Sequence, residues 1–121
     1  MRKSISIGAL VACSAAQAQV QTLSKSELEG LFVGKTVTAV RLSDGVKVRS
    51  EVNANGFMFS NTSSGGGQKS RWTIDEAGKL CFKAVGGGGD GCRLCAMQDG
   101  KVMVYDPSDL KNPVGFIEKI E

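Results

Sequence analysis

The sequence predicts a mainly β fold: a small antiparallel up-and-down barrel or sandwich of about eight short strands, with one short N-terminal helix. Three observations predict it. Beyond Thr36 the apolar residues alternate with period two. Turn signals built from Gly, Asn, Asp and Pro recur at about 8- to 12-residue intervals. No helical pattern separates the strands, so each is expected to pair with the next through a tight turn.

The first residues read as an export signal rather than as part of that fold. Arg2 and Lys3 form a positive start, and Ile5 to Ala16 is mostly apolar and small. Ala16-Gln17-Ala18 supplies the small-x-small pattern of signal peptidase. Cleavage is expected between Ala18 and Gln19, leaving residues 19–121 as one domain. The rival reading takes Leu10-Val11-Ala12-Cys13 as a lipobox, with Cys13 acylated as the mature N-terminus. A third leaves the segment in place as an amphipathic helix. No later apolar run approaches the ~20 residues of a membrane-spanning helix.

Gln19 to Thr22 reads as an extended tail. Ser24 and Glu27 form a Ser-x-x-Glu capping box, and Leu23 and Leu28 occupy the two staple positions. Leu28, Leu31 and Phe32 share one helical face, and Gly34 supplies the exit. A helix this short is unstable alone and must dock its apolar face on something larger. Plugging its own domain is the simpler expectation, and docking into a partner protein is the alternative.

Val37 to Leu42 then reads as a strand, turned by Ser43-Asp44-Gly45. Val46, Val48, Ser50 and Val52 alternate with Lys47, Arg49 and Glu51, giving one dry and one wet face. Phe57 to Ser60 is a short strand with two aromatics on one face, and Asn61 to Gly67 a polar, glycine-rich loop. Gln68 to Ile74 carries the single tryptophan. Asp75 to Gly78 turns into Lys79 to Val85, and Gly86 to Gly91 is a glycine loop before Cys92 to Met97. Asp99-Gly100 has a hairpin signature leading to Val102 to Tyr105, and Val114 to Ile120 is the last strand. The interior is expected to hold Val46, Val48, Val52, Phe57, Phe59, Trp72, Ile74, Leu80, Phe82, Val102, Val104 and Phe116. Such an interior is either filled by side chains or leaves room for one small ligand, and Trp72, Phe57, Phe59 and Phe82 are the candidate cavity or core residues.

Charge and composition exclude several functions. The chain has 15 basic and 12 acidic residues, and without Arg2 and Lys3 the basic count falls to 13. A near-neutral chain with no basic run gives little support to nucleic-acid binding. The chain has no histidine, which excludes Ser-His-Asp and Cys-His catalysis and His-ligated metal. The turn-located Asp75, Glu76, Asp99, Asp106 and Asp109 read as turn chemistry, and no catalytic carboxylate pair can be read among them. The glycine runs lack the Lys-Ser/Thr ending of a phosphate loop and precede strands. No cofactor and no metal are expected.

Export places the cysteines in an oxidising compartment. Cys81, Cys92 and Cys95 remain after cleavage, so one is left over. Cys92-Arg93-Leu94-Cys95 has the CxxC spacing but leads into a strand, not a helix that would lower a thiol pKa. Position 96 is Ala rather than the His of a haem attachment site. The expected bridge is Cys81–Cys92, across sequential strands, with Cys81–Cys95 as the alternative. Residues 92 and 95 point to opposite faces of a strand, so one is expected buried and the other exposed. The leftover thiol, Cys95 in the favoured pairing, is either buried or linked to a second chain.

The order Leu23, Glu27, Leu28, Gly34-Lys35-Thr36-Val37, Trp72-Thr73-Ile74, Gly78-Lys79-Leu80-Cys81 and Cys92 resembles a family of small exported proteobacterial proteins catalogued as a domain of unknown function. The resemblance implies that Cys81 and Cys92 bridge and that Trp72 is a core residue, and it brings no activity. Arg71 stands where that family tends to place Gly, and Cys95 is additional to its pattern.

Two functions follow as expectations. The first is a non-catalytic periplasmic or secreted binding or accessory protein, whose partner is an envelope protein or a small apolar ligand held beside Trp72. The alternative is an inhibitor of a protease or lysozyme, acting through the tail Gln19 to Ser24 or the loop Asn61 to Ser70. Either would be a monomer or a Cys95-linked dimer.

Overall fold

A computed structural model describes residues 20–121. The expected signal segment, Cys13 and the cleavage point between Ala18 and Gln19 lie outside the described residues. The described chain forms a helix α1 (Lys25–Phe32) and strands β1 (Lys35–Arg41), β2 (Lys47–Val52), β3 (Phe57–Thr62), β4 (Gly67–Ile74), β5 (Leu80–Ala84), β6 (Asp90–Gln98), β7 (Lys101–Tyr105) and β8 (Gly115–Ile120). Among the described residues no helix is long and apolar enough to cross a membrane.

Helix α1 starts where the capping box places it. The Glu27 amide donates to Ser24 Oγ at 3.2 Å, and the Ser24 amide donates to Glu27 Oε1 at 2.8 Å. Leu23 and Leu28, before and inside the first turn, are both buried. The chain leaves through Val33 and a left-handed Gly34, whose amide donates to Val52 O at 2.7 Å.

The eight strands form a closed antiparallel barrel in which each pairs with the next and β8 returns to β1. Each strand is paired on both sides, although β7 and β8 share only the pairs Met103 with Phe116 and Val104 with Gly115. One irregularity refines the closure. Thr38 pairs with Lys119 but Ala39 pairs with Ile117, leaving Glu118 without a partner. That bulge brings both Ile117 and Ile120 against the core.

The N-terminal segment and α1 seal one end. The Leu23 amide donates to Cys95 O at 2.7 Å, and Thr22 bridges to Ala96. Leu23, Leu28 and Phe32 join Val37, Val52, Met58, Ile74, Cys95 and Val102 in one buried cluster. Gly78 sits where the β4–β5 turn crosses this segment. Its φ is +84°, and a Cβ there would collide with the Leu23 carbonyl, so the close approach requires glycine.

The register corrects part of the expected interior. Met58 pairs with Val52 and with Ser70 and takes the inward position on β3, which turns Phe57 and Phe59 outward. The two aromatics do share a face, but it is the outer one, and Phe59 is 40% exposed. They lie under cations from the neighbouring strand: Lys69 Nζ is 4.5 Å from the Phe57 centroid and 5.6 Å from that of Phe59, and the Arg71 guanidinium is 4.7 Å from Phe57. Phe116 is also outward, opposite Met103, with Lys101 Nζ at 4.7 Å from its ring. Val46 lies in the turn ahead of β2. The expected loop over Asn61 to Gly67 shrinks to the turn 63–66, because Asn61 pairs with Gly67.

Cys81 and Cys92 form a disulfide and are register partners on β5 and β6. The flanking pairs, Leu80 with Arg93 and Phe82 with Gly91, point into the barrel, so the bridge lies on its outer face. Among the described residues Cys95 is the free cysteine, inside the barrel and 2% exposed. A thiol enclosed there cannot reach a second chain, which corrects the expectation of a Cys95-linked dimer.

Candidate ligand-binding cavity

The buried cluster fills the barrel at the helix end and leaves a cavity of about 530 Å³ toward the other. That volume lies within the roughly 300–1,000 Å³ of sites for small ligands. The open end is ringed by the β1–β2, β3–β4, β5–β6 and β7–β8 connections, and the cavity reaches it at Arg41, Gly65, Gly66, Gly67 and Val114. Phe32 of α1 lines the cavity too, so the helix supplies part of its floor.

Strand pleating gives the cavity two kinds of wall. Phe32, Val37, Val52 and Met58, which belong to the buried cluster, make the helix end of the cavity apolar, and Leu80, Val104 and Ile117 add apolar lining along its walls. On β3 and β4 the inward positions nearer the mouth carry polar side chains, and on β2 Ser50 sits between the inward Val48 and Val52. Ser50 and Ser60 are register partners whose hydroxyls lie 2.8 Å apart. Gln68 Nε2 donates to Ser70 Oγ at 3.1 Å, and Ser70 is 1% exposed. These pairs satisfy one another in a setting where a lone buried hydroxyl would be destabilising.

Opposite them stands Arg93. Its Nη1 donates to the Cys92 carbonyl at 2.8 Å, and its guanidinium lies 5.7 Å from the Phe82 ring centroid. Gly91 lies beside both, and a Cβ there would meet the Phe82 ring at 3.4 Å and Arg93 Nη1 at 3.6 Å, ordinary contact distances. No carboxylate among the described residues comes within 4.0 Å of the Arg93 nitrogens. Arg41, at the rim, is different, because its Nε pairs with Asp44 at 3.0 Å. Asp106, where β7 ends, keeps its carboxyl below the usual range, chiefly through hydrogen bonds from the Ser108 side chain and amide, with a smaller attraction from Arg93.

Cys95 faces the apolar part of the cavity, where burial pushes its thiol up to about 12. At neutral pH it is a protonated, apolar lining group rather than a nucleophile. Among the described residues no three metal-ligating side chains cluster.

Of the aromatics singled out from sequence, Phe82 lines the cavity. Trp72 pairs with Phe82 and packs against the core, with its indole N–H donating to Asn53 O at 2.9 Å. It anchors the wall beside Phe82 and is not itself among the lining residues. Phe57 and Phe59 are outside. Arg93, Ser60 and Ser70 escape the sequence reading, which places Ser50 on the dry face of its strand but gives it no role. A parity signal existed for Arg93: it lies two residues from Cys95, so if Cys95 is buried the arginine shares its face.

Residues 3–104 match the family described as "Protein of unknown function (DUF995)", and the chain belongs to that family. The match spans α1 and strands β1 through β6 and nearly all of β7. No curated protein and no solved structure matches the chain.

Proposed function

We propose that this protein is exported to the periplasm and, without catalysing a reaction, holds one small ligand with an apolar part inside its barrel. The observation that carries the reading is the cavity of about 530 Å³, closed below by a docked helix and open at the opposite end. A barrel built only for stability would fill that space, since eight strands enclose an interior that side chains can fill. The outer disulfide and the Arg2-Lys3 start with its Ala16-Gln17-Ala18 ending support export. The same cavity argues against chemistry. Its thiol is held protonated, and its serine hydroxyls pair with each other or with Gln68 rather than with a base.

Binding is favoured over enzyme inhibition for a local reason. An inhibitory tail or loop should project, whereas Leu23 is buried against the barrel and residues 63–66 form a tight turn.

The test is titration of the purified mature domain with the neutral probe N-phenyl-1-naphthylamine, whose fluorescence rises on leaving water. The reading predicts saturable enhancement at one probe per chain. No enhancement with a folded, disulfide-bonded sample would overturn it. Mass spectrometry of protein taken from its native envelope tests the address: a chain starting at Gln19 is expected, and an acylated Cys13 would replace it with an anchored lipoprotein.

A further inference from the structure

We propose that the ligand is a single-chain amphipath with a carboxylate head, its tail among the deep apolar residues and its head on Arg93. This rests on the cavity reading above and adds the ligand's chemical class and orientation.

The cavity lining contains two arginines, Arg41 and Arg93, and no carboxylate. Arg41 is engaged by Asp44 at the rim. Arg93 is half-buried, and the structure gives its guanidinium one hydrogen bond, to the Cys92 carbonyl. A guanidinium carries five N–H donors in a planar fork matched to a carboxylate. Its orientation is already set by that hydrogen bond and by the Phe82 ring. Little side-chain freedom is lost when an anion docks there.

Polarity then sets the direction. Arg93 is the fourth residue of β6, on the half of the strand next to the glycine turn at the mouth. Across the barrel the mouthward wall carries Ser60 and Gln68, and Gln68 donates to Ser70 beside Met58, so their hydroxyl and amide groups can accompany a polar head. Farther in, Met58, Val52 and Phe32 offer an apolar floor with no charged group among the lining residues there. A ligand neutral at both ends would leave the guanidinium with only the distant attraction of Asp106, which makes no ion pair with it. A ligand polar at both ends would strand a polar group on that floor.

Competition between decanoate and decanol for bound N-phenyl-1-naphthylamine tests this, at neutral pH with the full mature chain. The two competitors share a tail and differ in the head. In the wild type, decanoate is expected to displace the probe at about 10-fold or more lower concentration than decanol, the scale of a charge-assisted hydrogen bond. Arg93→Gln should abolish that preference while decanol competition stays within about 2-fold, and Arg93→Lys should keep part of it. Arg41→Gln should leave most of the preference in place. Equal competition by decanoate and decanol in the wild type would overturn the proposal and leave the cavity reading intact, as would failure of both to displace a probe that binds. The wild-type comparison stands even if a substitution at Arg93 impairs folding. Failure of the probe itself to bind would overturn the cavity reading as well.

Discussion

Removing the Cys81–Cys92 bridge should weaken the barrel strongly and leave its cavity unchanged. The bridge joins residues 11 apart, so it closes a loop of about a dozen residues in the unfolded chain. Loop-closure entropy for that length amounts to roughly 3 kcal/mol at 25 °C. For a domain of about 100 residues, that corresponds to a fall in Tm on the order of 10–20 °C. The assay is urea unfolding of wild type and of the Cys81→Ser, Cys92→Ser double variant, both followed by Trp72 fluorescence. Because the bridge lies on the outer face, with its neighbours Leu80 and Phe82 pointing inward, the folded variant should bind N-phenyl-1-naphthylamine as the wild type does. A loss below about 1 kcal/mol would refute the entropic reasoning. Weakened probe binding in a variant that remains folded would refute the separation of bridge and cavity.

Two further outcomes follow from packing and burial. Leu28 is fully buried under the barrel, and Leu28→Ala should cost about 2–5 kcal/mol in the same unfolding assay. A smaller loss would mean that α1 does not seal the floor. The Cys95 thiol is held near 12 in the folded barrel and returns to about 9.0 when the chain unfolds. Between those values the folded state keeps a proton that the unfolded state loses. The contribution of Cys95 is therefore complete below about pH 9 and falls as pH rises toward 12, by about 1.4 kcal/mol per pH unit. Subtracting the stability profile of Cys95→Ala from that of the wild type isolates the slope, and a flat difference across that range would place the thiol in contact with water.

Much of this fold is written locally. The capping box at Ser24 and Glu27, the alternation through Val48 and Val52, and the Asp99-Gly100 turn each act over a few residues and appear where those residues place them. Sequential tight turns then leave pairing of neighbours as the direct topology. What failed depended on distant partners. Phe57 and Phe59 look like interior residues because aromatic rings are usually buried. Their phase is fixed instead by Met58 between Val52 and Ser70, and their outer faces are covered by Lys69 and Arg71 from a different strand. The bulge at Glu118 likewise arises from closing β8 on β1, residues about eighty positions apart in sequence. The cavity was legible only as one of two alternatives, since strand parity says which side chains face inward and not whether they meet. Of its polar wall, Ser50 is legible on the dry face of β2, whereas Ser60, Gln68 and Ser70 lie in strands whose sequence does not mark them as inward.

The proposed function stands or falls on the ligand lying inside the barrel rather than on its outer face. The most direct measurement compares N-phenyl-1-naphthylamine binding to wild type, to Ala39→Trp, which places an indole in the cavity, and to Phe59→Ala, which trims the exposed outer face. Saturable binding at one site, lost in Ala39→Trp with the disulfide-bonded fold retained by circular dichroism and unchanged in Phe59→Ala, is the predicted result. Binding that survives Ala39→Trp and falls in Phe59→Ala would place the ligand on the outer aromatic and cationic face and contradict the account.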